Sequence, residues 1–302
     1  MRDTVLFLIG TVVTRLKIMH RSIKLYIILV LLCAISGYVV ASDALPTMRI
    51  ISLTPATTEI LFELGLDKEI VGVSSYCTWP VKARAKERVD SFSNPNIEKI
   101  IMLKPDLVIL TGMEQEHIKD IFSRLNIKYI NVDPANLSEL ISSIEELGNA
   151  TGTVSQAKIL ANSIRSVISR LKKFNSSIPG LKKPKIYMEI WHDPIMCPGR
   201  NSFVDDMIET AGGVNITADL NRSYSRIDPE QVILRNPDII ILAYMKPDDW
   251  VEQTFAKRLG WEDVNAIKER NIYTDINPDI ILRPGPRVMN GLIELHKRFY
   301  ED

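Results

Sequence analysis

The sequence has few of the side chains that a metal or redox centre needs. It contains four histidines and three cysteines in 302 residues. Beyond the first 44 residues the histidines are His117, His192 and His296, which are far apart along the chain. A metal-ion binding protein needs clustered imidazole, thiolate or carboxylate ligands, so this dispersion disfavours that class.

Motifs of the common enzyme classes are also missing. We find no nucleophile elbow, no phosphate-cradling glycine loop and no dinucleotide fingerprint, and hydrolases and nucleotide enzymes depend on such motifs. The chain also has no excess of one charge, with 37 basic and 37 acidic residues. Nucleic acids and anionic membrane surfaces are bound through a concentrated basic face, so we expect no nucleic-acid partner.

The N-terminus has the pattern of an export signal. Arg21 and Lys24 precede an apolar run from Leu25 to Ala41, and small residues follow as far as Ala44. We therefore predict residues 1–44 to be a signal segment and the protein to be periplasmic. Translation from Met19 and retention as an uncleaved membrane anchor remain alternatives.

Two cysteines, Cys77 and Cys197, follow the signal segment. In an oxidising compartment they either pair as a disulfide or stand apart as two half-buried thiols.

Strand and helix patterns alternate in the first half of the remaining chain. The apolar stretch 49–53 is followed by Thr54 and Pro55, a typical helix start, and then by an apolar strand at 70–73. A helix from Ile97 to Leu103 gives way at Pro105 to a strand at 107–110. Such alternation predicts a mostly parallel sheet covered by helices.

A wholly helical stretch from 137 to 174 separates this half from a second alternating half. Its later part is long enough to cross the breadth of a domain. After Pro184 we predict a strand at 185–190, a helix at 202–211 and a strand at 238–243.

The second half repeats part of the first. Residues 97–110 align without gaps with residues 229–242, and each segment has Glu as its second residue and Pro-Asp before a buried strand. Asn96 and Asp228 precede the two helices as predicted caps. The sequence therefore predicts an α/β protein of two Rossmann-like lobes with mostly parallel sheets, joined by a single long α-helix. We place the N-terminal lobe at 45–150, the connecting helix at 151–178 and the C-terminal lobe at 179–302.

The chain resembles the class III periplasmic solute-binding proteins of cobalamin and ferric-siderophore ABC importers, and among them most closely the cobalamin-binding members. The residues that carry the resemblance are 49–59, 72–76, the two repeated segments, 261–268 and 272–273. The resemblance implies a ligand cleft between the lobes and modest hinge motion. It also implies that Tyr76 contacts the ligand, and that Phe92 and Tyr224 stand where cobalamin binders have tryptophans.

Aromatic rings at predicted strand ends suit a large, rigid, planar ligand. We predict six ligand-binding residues: Tyr76, Trp79, Phe92, Trp191, Tyr224 and Trp250. For Trp79 and Trp250, covering a loop or core edge is an equal alternative. Five arginines also flank predicted loops of the second lobe, where some could bind carboxylates or phosphates, although a solvated surface position is the more expected role for most of them: Arg200, Arg222, Arg226, Arg283 and Arg287.

Two exposed glutamates are predicted to dock on a transporter. Glu98 and Glu230 stand at equivalent helix starts in the repeat, and they match the paired glutamates that the family docks on permease arginines. Their other expected role is to complement the helix dipole.

The predicted function is that of an extracytoplasmic substrate-binding protein of an ABC importer. We expect a monomer, not an enzyme, that binds cobalamin or a related corrinoid between the lobes and delivers it to the inner-membrane permease. No resident cofactor or metal is expected. A ferric-siderophore or haem-binding protein is the alternative within this architecture, and an exported α/β hydrolase is the alternative from another class.

Overall fold

A computed structural model describes residues 47–112, 115–244 and 258–301. The predicted signal segment 1–44 and the candidate ligand residue Trp250 lie outside these residues. Within the described ranges, no helix combines the length and apolar character that crossing a membrane requires.

The N-terminal lobe is built on a four-stranded parallel sheet with the strand order β2-β1-β3-β4. Its strands are β1 (Ile50–Ser52), β2 (Ile70–Val73), β3 (Leu107–Leu110) and β4 (Tyr129–Asn131), and its helices are α1 (Pro55–Glu63), α2 (Ile97–Met102), α3 (Glu116–Arg124) and α4 (Leu137–Thr151). Strands β1 and β3 are neighbours in the middle of the sheet. From β1 the chain continues to β2 on one side, and from β3 it continues to β4 on the other side. Such a reversal opens a crevice at the carboxyl ends of the two strands.

Helix α1 begins immediately after β1 for local reasons. The Thr54 hydroxyl accepts a hydrogen bond from the Thr57 backbone N–H at 3.2 Å. Pro55 stands in the first turn, where its missing N–H costs nothing. The cap therefore fixes the N-terminus of α1 at the carboxyl edge of the sheet.

The C-terminal lobe contains a second parallel sheet with the order β11-β10-β5-β8, and a small antiparallel sheet β6-β7-β9. The strands are β5 (Lys185–Glu189), β6 (Trp191–His192), β7 (Ile195–Pro198), β8 (Val214–Asn215), β9 (Tyr224–Arg226), β10 (Ile239–Leu242) and β11 (Ile272–Tyr273). The helices are α6 (Phe203–Ala211), α7 (Pro229–Arg235), α8 (Asn265–Lys268), α9 (Asp279–Leu282) and α10 (Val288–Tyr300).

One long helix, α5 (Val154–Ser177, 24 residues), connects the two lobes. Its buried residues, among them Leu160, Ile164 and Leu171, join a single hydrophobic core that runs from β1 and α1 through α4 to α6 and α10. The predicted fold class is confirmed: two α/β lobes with parallel sheets are joined by a long helix.

The internal repeat corresponds to the same helix-strand unit in each lobe, α2–β3 and α7–β10. The repeated aspartates do the same work: Asp106 accepts the backbone N–H of Arg49 at 2.7 Å, and Asp238 accepts that of Lys185 at 3.0 Å. Each carboxylate thereby holds the start of the neighbouring central strand, β1 or β5. The aspartate of each Pro-Asp pair therefore positions a neighbouring strand, in addition to the effect of the proline on the end of the helix.

The predicted caps differ between the two units. Asn96 caps α2 by accepting the Lys99 N–H at 2.9 Å, as expected. The cap predicted at Asp228 is wrong, since its side chain makes no capping hydrogen bond. The Gln231 N–H donates instead to the Asp228 backbone carbonyl at 2.9 Å, and Pro229 starts the helix.

The two cysteines are separate thiols. Cys77 and Cys197 are both free and completely buried, which contradicts the disulfide alternative and places them deeper than the expected half-buried positions. Burial raises the pKa of both thiols, to about 11 for Cys197.

Candidate functional site

A cavity of about 520 Å³ lies between the two lobes. From the N-terminal lobe it is lined by the segments that follow β1, β3 and β4; from the C-terminal lobe it is lined by the start of α6, by β9 and by the loop after α9. The lining comprises Thr54–Thr57, Phe92, Thr111, Gly112, Val132–Ala135, Asn201–Phe203, Ser223, Tyr224 and Leu282–Pro284. This is the carboxyl edge of the first sheet, where open α/β sheets bind ligands.

Two of the six predicted aromatic residues line this cavity, one from each lobe. Phe92 is half-buried in the loop before α2, and Tyr224 begins β9 with 42% of its surface exposed. The two rings give the cavity an aromatic surface on both sides of the lobe boundary, which suits a flat ligand.

Three other predicted residues are exposed but do not line the cavity within the described part of the chain: Tyr76, Trp79 and Trp191. The Trp191 indole N–H donates to the Asp193 carbonyl at 2.8 Å, which fixes that ring against its own hairpin. The Trp79 ring lies 5.4 Å from the guanidinium carbon of Arg287. Of the five aromatic candidates that the structure describes, two therefore line the cavity and three do not.

Polar groups of both signs face the cavity beside the rings. Asp133 follows β4, and its carboxylate accepts the Thr111 hydroxyl at 3.4 Å. Desolvation, with a contribution from the nearby charge of Asp133, raises the pKa of the Tyr224 phenol. The phenol therefore stays protonated at neutral pH and can donate a hydrogen bond.

Arg283 supplies positive charge at the same cavity. One of its terminal nitrogens, Nη2, lies 2.9 Å from Oδ1 of Asp279. The other, Nη1, is buried and has no hydrogen-bond partner among the described residues. A buried donor without a hydrogen-bond partner carries a desolvation cost.

A larger cavity of about 1250 Å³ adjoins the first along α5. The two share Ala135, Asn201 and Ser202 in their linings. The larger cavity is lined mostly by polar and charged side chains and, among its described residues, by no aromatic ring. It can accept a hydrophilic part of a ligand whose planar part occupies the aromatic cavity.

Sequence reasoning missed most of the polar lining. Thr54, predicted only as a helix cap, and Ser202, predicted only as the first residue of a helix, place two helix N-termini at the cavity from opposite lobes. The signal was present for the first, since a capped helix that directly follows a strand stands at the carboxyl edge of a parallel sheet. His192 lies outside the cavity lining, 5.1 Å ring to ring from Trp191. The described residues contain no group of three potential metal ligands.

The two predicted docking residues are placed as the repeat required. Glu98 and Glu230 are each the second residue of their helix, α2 and α7, and both side chains are exposed.

Comparison with known proteins agrees with this architecture. A family model described as periplasmic binding protein matches residues 50–278. The ABC transporter substrate-binding lipoprotein YvrC of Bacillus subtilis is 32% identical over 259 residues, which cover 84% of this chain and 80% of that protein.

Solved structures of similar proteins cover the same part of the chain. The periplasmic vitamin B12 binding protein BtuF of Vibrio cholerae has a TM-score of 0.71 at 25% identity, over 84% of this chain and 97% of its own. IsdE of S. aureus, complexed with heme, has a TM-score of 0.71 at 26% identity, over 84% and 99%.

Proteins of this kind bind a small molecule and work with a membrane permease, and the family is one of binding proteins, not of enzymes. The chain belongs to the periplasmic binding protein family and is a substrate-binding protein of an ABC transporter of the vitamin B12, haem and siderophore type.

Proposed function

We propose that the protein binds cobalamin or a related corrinoid in the interlobe cavity and delivers it to the permease of its importer. The observation that carries this proposal is the pair of ring faces, Phe92 and Tyr224, presented from opposite lobes at one cavity. A flat macrocycle held between the lobes would contact both rings, whereas a small hydrated ion would contact neither.

The polar lining favours a ligand edged by neutral groups that both donate and accept. Asp133 is an acceptor, whereas the Tyr224 phenol and the Arg283 guanidinium are donors. Amide side chains around a corrin can satisfy all three.

Haem or a ferric siderophore is the second candidate for the same cavity. The similarity to a structure with bound heme supports it, and Arg283 can pair with a carboxylate at the edge of a porphyrin. The aromatic pair serves either macrocycle. The two candidates therefore differ mainly in what meets Arg283 and Tyr224.

A spectroscopic titration distinguishes these ligands. Protein produced from the full-length sequence is titrated with cyanocobalamin, haemin and a ferric catecholate siderophore, while ligand absorbance and tryptophan fluorescence are recorded. We expect saturable one-to-one binding of cyanocobalamin with quenching. Binding of haemin alone would transfer the assignment to the second candidate, and binding of none of the three would contradict the proposal.

Glu98 and Glu230 are proposed as the permease-docking residues. Neither carboxylate forms an ion pair with another described residue, and each projects at the start of a short helix in its own lobe. Two equivalent acidic points suit a partner that offers one basic point to each lobe. Such a partner would contact both lobes at once and respond to their relative position.

We also propose the organisation that the sequence predicts around this core. Residues 1–44 direct export to the periplasm, 45–150 form the N-terminal lobe, 151–178 the connecting helix and 179–302 the C-terminal lobe. The protein acts as a monomer. The relatives named periplasmic or lipoprotein support an extracytoplasmic location.

A further inference from the structure

A buried ion pair crosses from one lobe to the other beside the cavity. Arg287, at the start of α10 in the C-terminal lobe, donates to both carboxylate oxygens of Glu59 in α1 of the N-terminal lobe, from Nε at 2.8 Å and from Nη2 at 2.6 Å. Glu59 is 3% exposed and the Arg287 side chain 16% exposed. This bidentate pair joins residues 228 positions apart in the sequence.

Arg287 also contacts two further parts of the molecule. Its Nη2 lies 3.5 Å from Oδ2 of Asp279 in α9, and Asp279 in turn pairs with Arg283 at the cavity. Its guanidinium carbon lies 5.4 Å from the centre of the Trp79 ring, which belongs to a loop of the N-terminal lobe. One side chain therefore contacts a helix and a loop of one lobe and a helix of the other.

A gain in folding stability does not by itself explain a buried Arg–Glu pair. Burying two charges costs solvation free energy that their attraction only partly returns, and apolar replacements are often as stable. A bidentate Arg–carboxylate pair has narrow geometry, however, because two parallel hydrogen bonds define both distance and orientation. Across a lobe boundary, that geometry sets the distance between the lobes.

A second polar contact crosses the boundary near the connecting helix. The Leu137 N–H at the start of α4 donates to Oδ2 of Asp206 in α6 at 2.7 Å. Among the described residues, these two polar contacts add to the connections that α5 and the shared hydrophobic core make between the lobes. Together they restrict rotation of one lobe on the other.

We propose that Arg287 is a positioning residue of the binding site: by pairing with Glu59 and stacking on Trp79, it fixes the lobe spacing and the cavity before ligand arrives. The effect on ligand rests on the proposed function, whereas the effect on lobe spacing does not. A preformed cavity needs no ordering of the lobes on binding, and this raises affinity.

The test measures the distance between the lobes without ligand. Spin labels are attached through Ser123→Cys in α3 and Glu269→Cys after α8, two exposed positions in different lobes. Cys33 is replaced by serine, and the buried thiols Cys77 and Cys197 stay unlabelled. Double electron–electron resonance then gives the distance distribution for the full-length protein. We expect one narrow distribution for the parent and a broader or displaced one for Arg287→Gln.

Arg298 provides a matched control within one lobe. It pairs with Glu294 at 2.9 Å and Asp275 at 2.7 Å and lies 4.7 Å from the Tyr273 ring centre, all in the C-terminal lobe. Arg298→Gln therefore removes a similar set of interactions that do not cross the boundary. We expect its distance distribution to match the parent. A parent-like distribution for folded Arg287→Gln would overturn the proposal.

Two conservative variants of the same ion pair test the proposal even if Arg287→Gln fails to fold. Glu59→Gln removes the charge at nearly constant volume and is expected to broaden the distribution as Arg287→Gln does, and Arg287→Lys should restore it only in part because lysine cannot bind bidentately. A parent-like Glu59→Gln would also overturn the proposal.

Ligand dissociation gives the functional readout, measured with whichever of cyanocobalamin and haemin binds. We expect dissociation to be about tenfold faster for Arg287→Gln, within the range of coupling energies in polar networks, and unchanged for Arg298→Gln. An unchanged dissociation rate for Arg287→Gln would contradict the role in binding. Absence of binding by both probes would count against the proposed function, whereas the distance result would still decide the role of Arg287 between the lobes.

Discussion

Replacement of Tyr224 tests whether the interlobe cavity holds the ligand. Tyr224 has 42% of its surface exposed. An aromatic side chain buries about 150 to 250 Å² when fully covered, so the exposed part amounts to about 85 Å². At about 25 cal/mol per Å², covering it contributes about 2 kcal/mol.

Ordering costs reduce this gain. Immobilising one side chain costs about 0.5 to 1.5 kcal/mol, and the phenol adds one hydrogen bond of about 1 kcal/mol. We therefore expect Tyr224→Ala to weaken cyanocobalamin binding by about 1.5 to 2.5 kcal/mol, or about 13- to 70-fold in Kd. Tyr224→Phe should lose only the hydrogen-bond part.

Isothermal titration calorimetry on full-length protein measures both variants. Phe174→Ala is the matched control, because Phe174 is 40% exposed but packs against His296 and Tyr300 and lines neither cavity. Its affinity should equal the parent's. Equal losses in Tyr224→Ala and Phe174→Ala, or no loss in Tyr224→Ala, would refute the reasoning from the cavity.

Three other predictions concern the docking glutamates and the buried thiols. The double variant Glu98→Arg, Glu230→Arg should abolish ATP-driven uptake by vesicles that contain the cognate permease, because like charges would face each other. Its ligand affinity should stay within about twofold of the parent, since both side chains lie outside the cavity. Normal uptake by the double variant would remove the docking assignment. Cys77 and Cys197 should react with a thiol reagent at pH 8 only after denaturation, with two thiols found without reductant, and a single disulfide by mass spectrometry would contradict the structure. Burial raises the pKa of the Cys197 thiol to about 11. The stability that this protonated thiol contributes is complete below the thiol's ordinary pKa and is lost as the pH rises toward 11. Over that pH range the midpoint of urea unfolding should therefore fall less in Cys197→Ala than in the parent.

Local features of the fold could be predicted from the sequence because they depend on neighbouring residues. The N-cap residues Thr54 and Asn96 indicate where their helices begin, and the repeated Pro-Asp pairs indicate the change from helix to strand. The same reasoning was wrong at Asp228, where a backbone carbonyl takes the N–H that the side chain was expected to accept. Competition between two acceptors so close together is decided by small differences in geometry.

The candidate site could be predicted only in part. Alternating strands indicate which loops meet at the carboxyl edge, and Phe92 and Tyr224 do meet there. The directions of loop side chains such as Trp79 and Trp191 depend on partners from elsewhere in the chain or on a local hairpin. The pairing of Glu59 with Arg287 across 228 positions leaves no periodic pattern that one sequence could reveal.

Hydrogen exchange with and without cyanocobalamin tests most directly whether the ligand is held between the lobes. Ligand contacts slow local opening, so amide protection should rise where the ligand binds. We predict increased protection on both sides of the boundary, at 54–57, 111–112 and 132–135 in the N-terminal lobe and at 201–203, 223–224 and 282–283 in the C-terminal lobe. Protection confined to one lobe, or located away from these segments, would contradict the account.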